Sequence, residues 1–323
     1  MARIVVTGAT GFVGRALLPR LLVGGNEVVA VVRSAGAGLP AGVDAAPVGD
    51  LTGPVNWAPV LQGAHALVHL AGLAHQRNVS PTALEALNVT ATVRLAQAAQ
   101  AAGLRRLVYV SSVKAMGDHS PGRPLTEQDP ALPEDAYGQS KRAAEEALAT
   151  LCPPDGPLSL AILRPPLVHG PGVKANMAAL LRLATRWPVL PLGGIPNRRS
   201  LISVETLADA ITRAVERWEV TGTFLVADQP ALSTSALVAT LAAAAGRHPW
   251  LPSLPPALWR AAAALPRLAG IVDRLTGSLE VDDAAFRAAF DWHPPLDQNE
   301  ALTRTVQAYL RQTRPHSGGG SEA

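Results

Sequence analysis

In the first half of the chain the apolar positions fall in short runs rich in Val and Ile, at residues 4–6, 28–32, 66–70 and 107–111. Each run is followed by a longer stretch whose apolar residues recur at helical spacing. Consecutive apolar residues suit a strand buried on both faces, and strands alternating with helices predict a parallel sheet covered on both sides. Residues 158–163 read as a further buried strand. Residues 223–227 read as another, after the helical pattern at 204–218, so the sheet draws on residues beyond position 200.

Elsewhere the pattern is broken by Pro and Gly: Pro165-Pro166, Gly170-Pro171-Gly172, Gly193-Gly194, then Pro249, Pro252, Pro255 and Pro256. Such punctuation predicts helices and loops of a smaller second domain. The expected fold class is α/β, a doubly wound parallel sheet with a smaller, mostly helical C-terminal domain. The sheet domain is expected at 1–170 and 200–228, the second domain at 171–199 and 229–312, and a disordered Gly/Ser-rich tail at 313–323. The alanine-rich stretch 257–272 is interrupted by Arg260, Pro266 and Arg267, well short of the ~20 apolar residues a membrane span needs. It reads as a packed helix or a surface-facing hydrophobic lid, and no stable membrane insertion is expected.

Composition narrows the class. With 48% apolar and 16% charged residues over 323 positions, the chain can bury a substantial core. A single cysteine, Cys152, excludes an intrachain disulfide, and the eight histidines lack ligand spacing, so no metal is expected. The apolar run at 4–6 is broken by Gly8, Gly11 and Gly14 before an export signal could form, which suits a cytoplasmic protein. A formal charge of +3 with scattered Lys and Arg forms no basic stripe, so nucleic acid is not an expected partner.

Thr7-Gly8-Ala9-Thr10-Gly11-Phe12-Val13-Gly14 joins the first strand to a helical pattern from Ala16 to Leu22. Gly8 permits the tight turn, Gly11 lets the backbone approach a pyrophosphate, and Gly14 lets helix and strand pack closely. The free amides of the helix start would meet the anion. About 20 residues further on, an acid would hold the ribose of NAD, but the second strand ends Val31-Val32-Arg33-Ser34. Arg33 can pair with a 2′-phosphate or stack on adenine, so NADP(H) is favoured over NAD(H). Asp50, followed by Leu51, would contact the adenine amino group.

Tyr137 and Lys141, four residues apart on a predicted helix, share one face. A nearby ammonium favours phenolate, bringing the tyrosine toward working pH, where it can exchange a proton with a substrate hydroxyl during hydride transfer. Ser111-Ser112, at the end of an upstream strand, can orient the same substrate oxygen.

Together, the Gly8–Gly14 turn, His69-Leu70-Ala71-Gly72, Asn88, Ser111-Ser112 and Tyr137-x-x-x-Lys141 resemble the extended short-chain dehydrogenase/reductases, in their nucleotide-sugar epimerase and dehydratase branch. The resemblance spans nearly the whole chain. It implies a Rossmann domain and makes Ser112, Tyr137 and Lys141 the catalytic set, Lys141 also holding the nicotinamide ribose. Asn88 would support the active-site helix and a proton relay. Phe12, Val13, Leu70, Ala71, Gly72, Ser111 and Pro165 would line the cofactor, and His169 stands where a Tyr is common, as a packing substitution. Asn176, Arg199 and Arg274 fall where such enzymes hold the diphosphate of a UDP-sugar, which needs guanidinium forks and amide donors. A homodimer through helices at 88–100 and 137–148 is also implied.

Dehydratases of the branch carry an Asp-Glu pair after the active-site hydroxyl, where Val113-Lys114 stands here. C4 epimerisation with tightly held NAD and C4 reduction of a keto sugar remain. Arg33 in place of an acid, and Lys114 as a donor near the sugar, lean toward reduction. The stretches 164–176 and 275–282 also look like a bacterial polysaccharide-locus subgroup related to reductases of UDP-4-keto-6-deoxy-N-acetylglucosamine. A non-catalytic NADP-binding scaffold on the same fold is the alternative of another class.

Overall fold

Successive residues of strand β1 (Arg3–Thr7) point to opposite sides, and both sets are apolar: Ile4 and Val6 on one face, Val5 on the other. Such a strand is stable only between two layers. In the computed structural model, which describes residues 1–36, 38–73, 79–173 and 175–313 without the side chains of Ala175 and Asn176, those layers are helices. The expected disordered tail lies, from residue 314, outside the described residues.

From β1 the chain runs through α1 (Phe12–Val23), β2 (Glu27–Val32), β3 (Val43–Pro47), the short α2 (Ala58–Leu61), β4 (Ala66–His69) and α3 (Pro81–Leu84). A π-helical turn, Glu85–Thr90, leads into α4 (Ala91–Ala101), then β5 (Arg106–Val110), a 3₁₀ turn Val113–Ala115, α5 (Ala136–Leu151) and β6 (Ser159–Arg164). There follow β7 (Leu167–His169), α6 (Ala175–Arg186), β8 (Arg199–Ser203), α7 (Val204–Glu216), β9 (Gly222–Leu225) and β10 (Asp228–Leu232). The chain ends in α8 (Thr234–Ala244), α9 (Pro256–Ala263), α10 (Pro266–Thr276), α11 (Ala284–Phe290) and α12 (Gln298–Thr313).

Seven strands form one parallel sheet in the order β3-β2-β1-β4-β5-β6-β9. The order reverses between β1 and β4, which opens a crevice outside their carboxyl ends, where ligands bind in doubly wound sheets. On one face Val6, Ala30, Val68, Val108 and Leu163 pack under α1 and α7, through Leu17, Leu21, Leu207 and Ile211. On the other, Val5, Val29, Leu67, Tyr109 and Ile162 pack under α4 and α5, through Leu95 and Leu148. A second, three-stranded sheet has the order β10-β8-β7.

The chain divides into two compact units: residues 1–168, 199–231 and 278–296, and residues 169–198, 232–277 and 297 onward. Residues 278–296, expected in the second domain, belong to the first. The reason is aromatic packing: Phe286 and Phe290 of α11 meet Phe224 of β9 edge-on at 5.9 and 5.1 Å, and Trp292 meets Phe286 at 5.1 Å. At the amino end of β5, Arg106 is buried and gathers distant segments. Its Nε donates to the Ala214 carbonyl (2.8 Å), and its Nη1 donates to Ser159 Oγ (2.8 Å) and the Val220 carbonyl (2.7 Å).

In the second unit, α8 packs on α6 and α12. Asn197 is buried there: its Oδ1 accepts from the Thr234 amide (2.8 Å), and its Nδ2 donates to Thr234 Oγ1 and the Gly277 carbonyl, both 3.0 Å. The alanine-rich stretch is two helices, α9 and α10, broken at Leu265-Pro266; α9 buries none of its residues, so the packed-helix alternative does not hold for it. Among the described residues no helix is long and apolar enough to cross a membrane.

Candidate active site

The turn between β1 and α1 is shaped by what a side chain would strike. Gly8 sits at φ +67°, and a Cβ there would lie 2.7 Å from both the Ala71 nitrogen and the Leu70 carbonyl carbon. At Gly14 a Cβ would come within 2.4 Å of the Ala9 oxygen and 2.5 Å of the Gly8 oxygen. Gly11 donates its amide to the Gly8 carbonyl (2.9 Å) and opens α1 with no side-chain cap and no acid in the first turn. The first amides of α1 and the positive end of its dipole are thus kept for an anion. This cradle fits a dinucleotide pyrophosphate. Phe12 and Val13 are half-buried, Val13 against the sheet core.

Across the switch point, Leu70 packs on the same core and the Ala71 amide donates to Thr7 Oγ1 (3.3 Å). Gly72 is held by contact: a Cβ there would approach Asn88 Oδ1 to 3.0 Å and Lys141 Nζ to 3.8 Å. Asn88, in the π-helical turn, accepts from the Leu73 amide (2.8 Å) and donates to the Leu73 carbonyl (3.1 Å) and Ser140 Oγ (2.9 Å). It therefore pins the segment after β4 to α5. π-Helical turns cluster at functional sites because they re-aim a side chain that a regular helix would place elsewhere.

Ser111 and Ser112 follow β5. Ser111 Oγ is buried and makes no hydrogen bond among the described residues, the kind of orphan a bound ligand would satisfy. Ser112 caps the 3₁₀ turn, its Oγ accepting from the Lys114 amide (3.2 Å), while the Val113 amide donates to the carbonyl of buried Pro165 (3.0 Å). Helix α5 is pressed against this turn: a Cβ on Gly138 would fall 2.3 Å from the Lys114 carbonyl oxygen.

Tyr137 and Lys141 lie one turn apart on α5. Burial pushes the Tyr137 phenol up to about 12, and the hydroxyl of Ser112, hydrogen-bonded to it, works against that rise. Burial brings the Lys141 ammonium down to about 8. The expected lowering of Tyr137 by Lys141 is not what this arrangement shows. Lys141 Nζ instead donates to Tyr109 Oη (3.0 Å) and the Val110 carbonyl (2.9 Å), because α5 lies over β5 and its buried ammonium takes the nearest acceptors.

Two buried polar arrangements have partners that no motif in the sequence names. His69 bridges Thr7 and Thr92, Nδ1 to Thr7 Oγ1 at 2.6 Å and Nε2 to Thr92 Oγ1 at 2.8 Å, and stacks on Tyr109. Burial first, and the Lys141 charge second, hold it down to about 3, so the ring is neutral. Glu145 of α5 and Arg164 of β6 form a buried two-point ion pair, 2.9 and 2.6 Å, that seats the helix on the sheet. A carboxylate one turn after Lys141 and an arginine ending a strand are visible in the sequence, but only the crossing of α5 over β6 brings them together.

Lys114, expected as a donor near the sugar, is half-buried and paired with two carboxylates. Its Nζ contacts both carboxylate oxygens of Asp118 (2.5 Å each) and Asp135 (3.0 Å), and these bonds hold the ammonium charged against the opposing effect of burial. At the ribose end, Arg33 is exposed at the tip of β2. Asp50 is exposed and its Oδ1 accepts from Thr52 N and Oγ1, both 2.9 Å, which lowers its pKa with help from the Arg33 charge. Leu51 packs half-buried on the second core. Arg199 is half-buried at the start of β8, and Arg274 is exposed near the end of α10. Asn176 lies on α6 with its side chain outside the described residues. His169 is buried with Nδ1 2.9 Å from Thr305 Oγ1, a packing position.

A glycine-lined anion cradle at the switch point of a doubly wound sheet, beside a Ser, Tyr and Lys gathered on β5 and α5, defines an NAD(P)-binding oxidoreductase. Residues 4–227 match the NAD dependent epimerase/dehydratase family, and the chain belongs to it. It is 34% identical to a UDP-glucose 4-epimerase of Vibrio cholerae, over 95% of each chain. It is 32% identical to a dTDP-6-deoxy-L-talose 4-dehydrogenase (NAD(P)(+)) of Kitasatospora kifunensis, over 66% of this chain and 70% of that one. Among solved structures, MoeE5 in complex with UDP-glucose and NAD superposes with a TM-score of 0.77 at 25% identity, covering 97% of this chain and 100% of that one.

Proposed function

We propose that the protein transfers hydride at C4 of a UDP-linked sugar, with Tyr137 exchanging the proton of the reacting oxygen. The observation that carries this is the placement of Tyr137 and Lys141 one helical turn apart on a helix pressed, at Gly138, against the turn that Ser112 caps, beside the Gly8–Gly14 cradle. A bound nicotinamide would supply or accept the hydride. Tyr137 gives or takes a proton at Oη, and Ser112 orients the same oxygen. Lys141, buried beside the segment after β4, would hold the nicotinamide ribose. Asn88 keeps α5 in register with the segment after β4.

NAD(H) fits the cradle, and the structurally similar MoeE5 is in complex with NAD; NADP(H) is supported by the exposed Arg33 where a ribose-binding acid would stand. Reduction of a UDP-4-keto-6-deoxyhexosamine is the direction Arg33 favours, since it suits an exchangeable, phosphorylated cofactor. Epimerisation of a UDP-hexose is the second reading, supported by likeness to the Vibrio cholerae epimerase along nearly the whole chain. Asn176, Arg199 and Arg274 would hold the diphosphate of the nucleotide. Two chains would pair through α4 and α5, whose half-buried Val93, Ala98, Ala143 and Ala147 suit a four-helix contact.

The test is to mix the purified protein with UDP-4-keto-6-deoxy-N-acetylglucosamine and NADPH or NADH and follow loss of the reduced nicotinamide absorbance, with Tyr137→Phe as control. Stoichiometric consumption by the wild type alone supports the reductase. No consumption, with UDP-glucose and UDP-galactose interconverting without added reductant, establishes the epimerase instead.

A further inference from the structure

Two of the three segments of the second unit are basic. Residues 169–198 and 232–277 contain eight Lys or Arg and one acid, Asp273, in a chain whose net formal charge is only +3. The same unit exposes its large apolar side chains on the α9–α10 pair: Leu258 is 53% exposed, Leu265 54%, Leu268 39% and Ile271 46%. Trp187 and Trp250, beside the backbone bridge between Val189 and Trp250, are 57% and 68% exposed. Single exposed apolar side chains need no explanation, but three on two consecutive short helices and a fourth, Leu265, at their junction do.

Their spacing gives the pair a direction. At 100° per residue, Leu268 and Ile271 lie on one flank of α10, and Arg267 lies about 40° to the side of Ile271. On α9 the exposed Arg260 lies two residues after Leu258, about 160° around the helix from it. An exposed apolar flank with an arginine at its border, as Arg267 borders Ile271 on α10, is the pattern of a helix lying in a membrane interface. There the apolar stripe enters the acyl boundary and the arginine reaches anionic headgroups. A second copy of the chain is disfavoured as the occupant, because a two-fold contact would set two surfaces of the same positive sign against each other.

We propose that the α9–α10 pair docks this protein peripherally on anionic lipid bilayers. The contact is small and lacks a covalent anchor, so the binding is weak, reversible and salt-sensitive. It is independent of which C4 reaction the enzyme performs.

The experiment is co-sedimentation of the full chain with vesicles of phosphatidylglycerol and phosphatidylcholine, 1:1, against pure phosphatidylcholine, in low salt and in 0.5 M NaCl (about a 4 Å Debye length). Binding to the anionic vesicles alone, at least about tenfold weaker in Leu265→Asp/Ile271→Asp and in Arg267→Glu and released by salt, is the expected result. Both variants should keep the wild-type melting temperature and cofactor affinity, which separates lost docking from lost folding or failed catalysis. No binding to anionic vesicles overturns the proposal, as does equal binding by the variants. A self-association that Leu265→Asp/Ile271→Asp abolishes, without vesicle binding, assigns the surface to a second copy.

Discussion

Lys114 and Asp135 form a 3.0 Å ion pair that ties the turn after Ser112 to the cap of the helix carrying Tyr137 and Lys141. Asp135 also accepts from the Gly138 amide (2.7 Å), so one carboxylate fixes the start of α5 and the Lys114 ammonium fixes the carboxylate. Lys114→Met should therefore lower kcat about ten- to a hundredfold with little change in substrate KM, since a misplaced Tyr137 slows the proton step. A rise in KM at constant kcat, read from steady-state kinetics, would place Lys114 on the substrate instead.

Tyr137→Phe removes the hydroxyl and leaves the ring packed. It should reduce kcat by about 10²- to 10⁴-fold while cofactor affinity, followed by nicotinamide fluorescence, stays within a factor of two or so. Ser112→Ala should cost less, since it removes only the partner that holds the phenol against its burial-driven rise.

His69 makes stability depend on acid. Its folded pKa, about 3, lies below the 6.5 of an exposed imidazole, so the unfolded state takes up the proton first. The contribution is fully present above pH 6.5 and falls by up to about 1.4 kcal/mol per pH unit as pH drops from 6.5 toward 3. Urea midpoints at pH 7, 6, 5 and 4 should show this slope in the wild type and a flatter one in His69→Phe, after allowance for the lower baseline the variant has from leaving Thr7 and Thr92 without their partner.

Breaking the Glu145–Arg164 pair from one side leaves a buried guanidinium alone. Glu145→Ala should destabilise the protein by about 3–5 kcal/mol in denaturant titration. A loss under 1 kcal/mol would mean that water reaches Arg164.

Arg33→Asp should move cofactor preference toward NADH by at least about tenfold in the ratio of dissociation constants, because it replaces a phosphate partner by a ribose partner. An unchanged ratio would leave the choice to residues other than Arg33.

Most of the sheet was legible because its central strands are buried on both faces, so residues 28–32 read as an unbroken apolar run, and 66–70 as one interrupted only by His69, without knowledge of their neighbours. The Gly8–Gly14 turn was legible for a related reason: three glycines at fixed spacing between a strand and a helix report close backbone approaches that the structure places at Leu70, Ala71 and Ala9. Side-chain partnerships across long separations were not legible. His69 bonds Thr7 across 62 positions, and Lys141 reaches Tyr109 across 32; such pairs depend on the crossing of helices over strands. The placement of 278–296 escaped for the same reason. Phe286 and Phe290 look like ordinary helix residues until Phe224 is set against them.

The buried Arg106 bears on how the chain folds as it is made. Strands β1 to β6 leave the ribosome while the Ala214 and Val220 carbonyls that this guanidinium requires are still to be synthesised. Until residue 220 has emerged, closing the sheet would strand a charge in a dry interior, which costs several kcal/mol. The nascent first half, although it holds both the glycine turn and the Tyr137 helix, stays open until the chain from beyond residue 200 arrives to complete it.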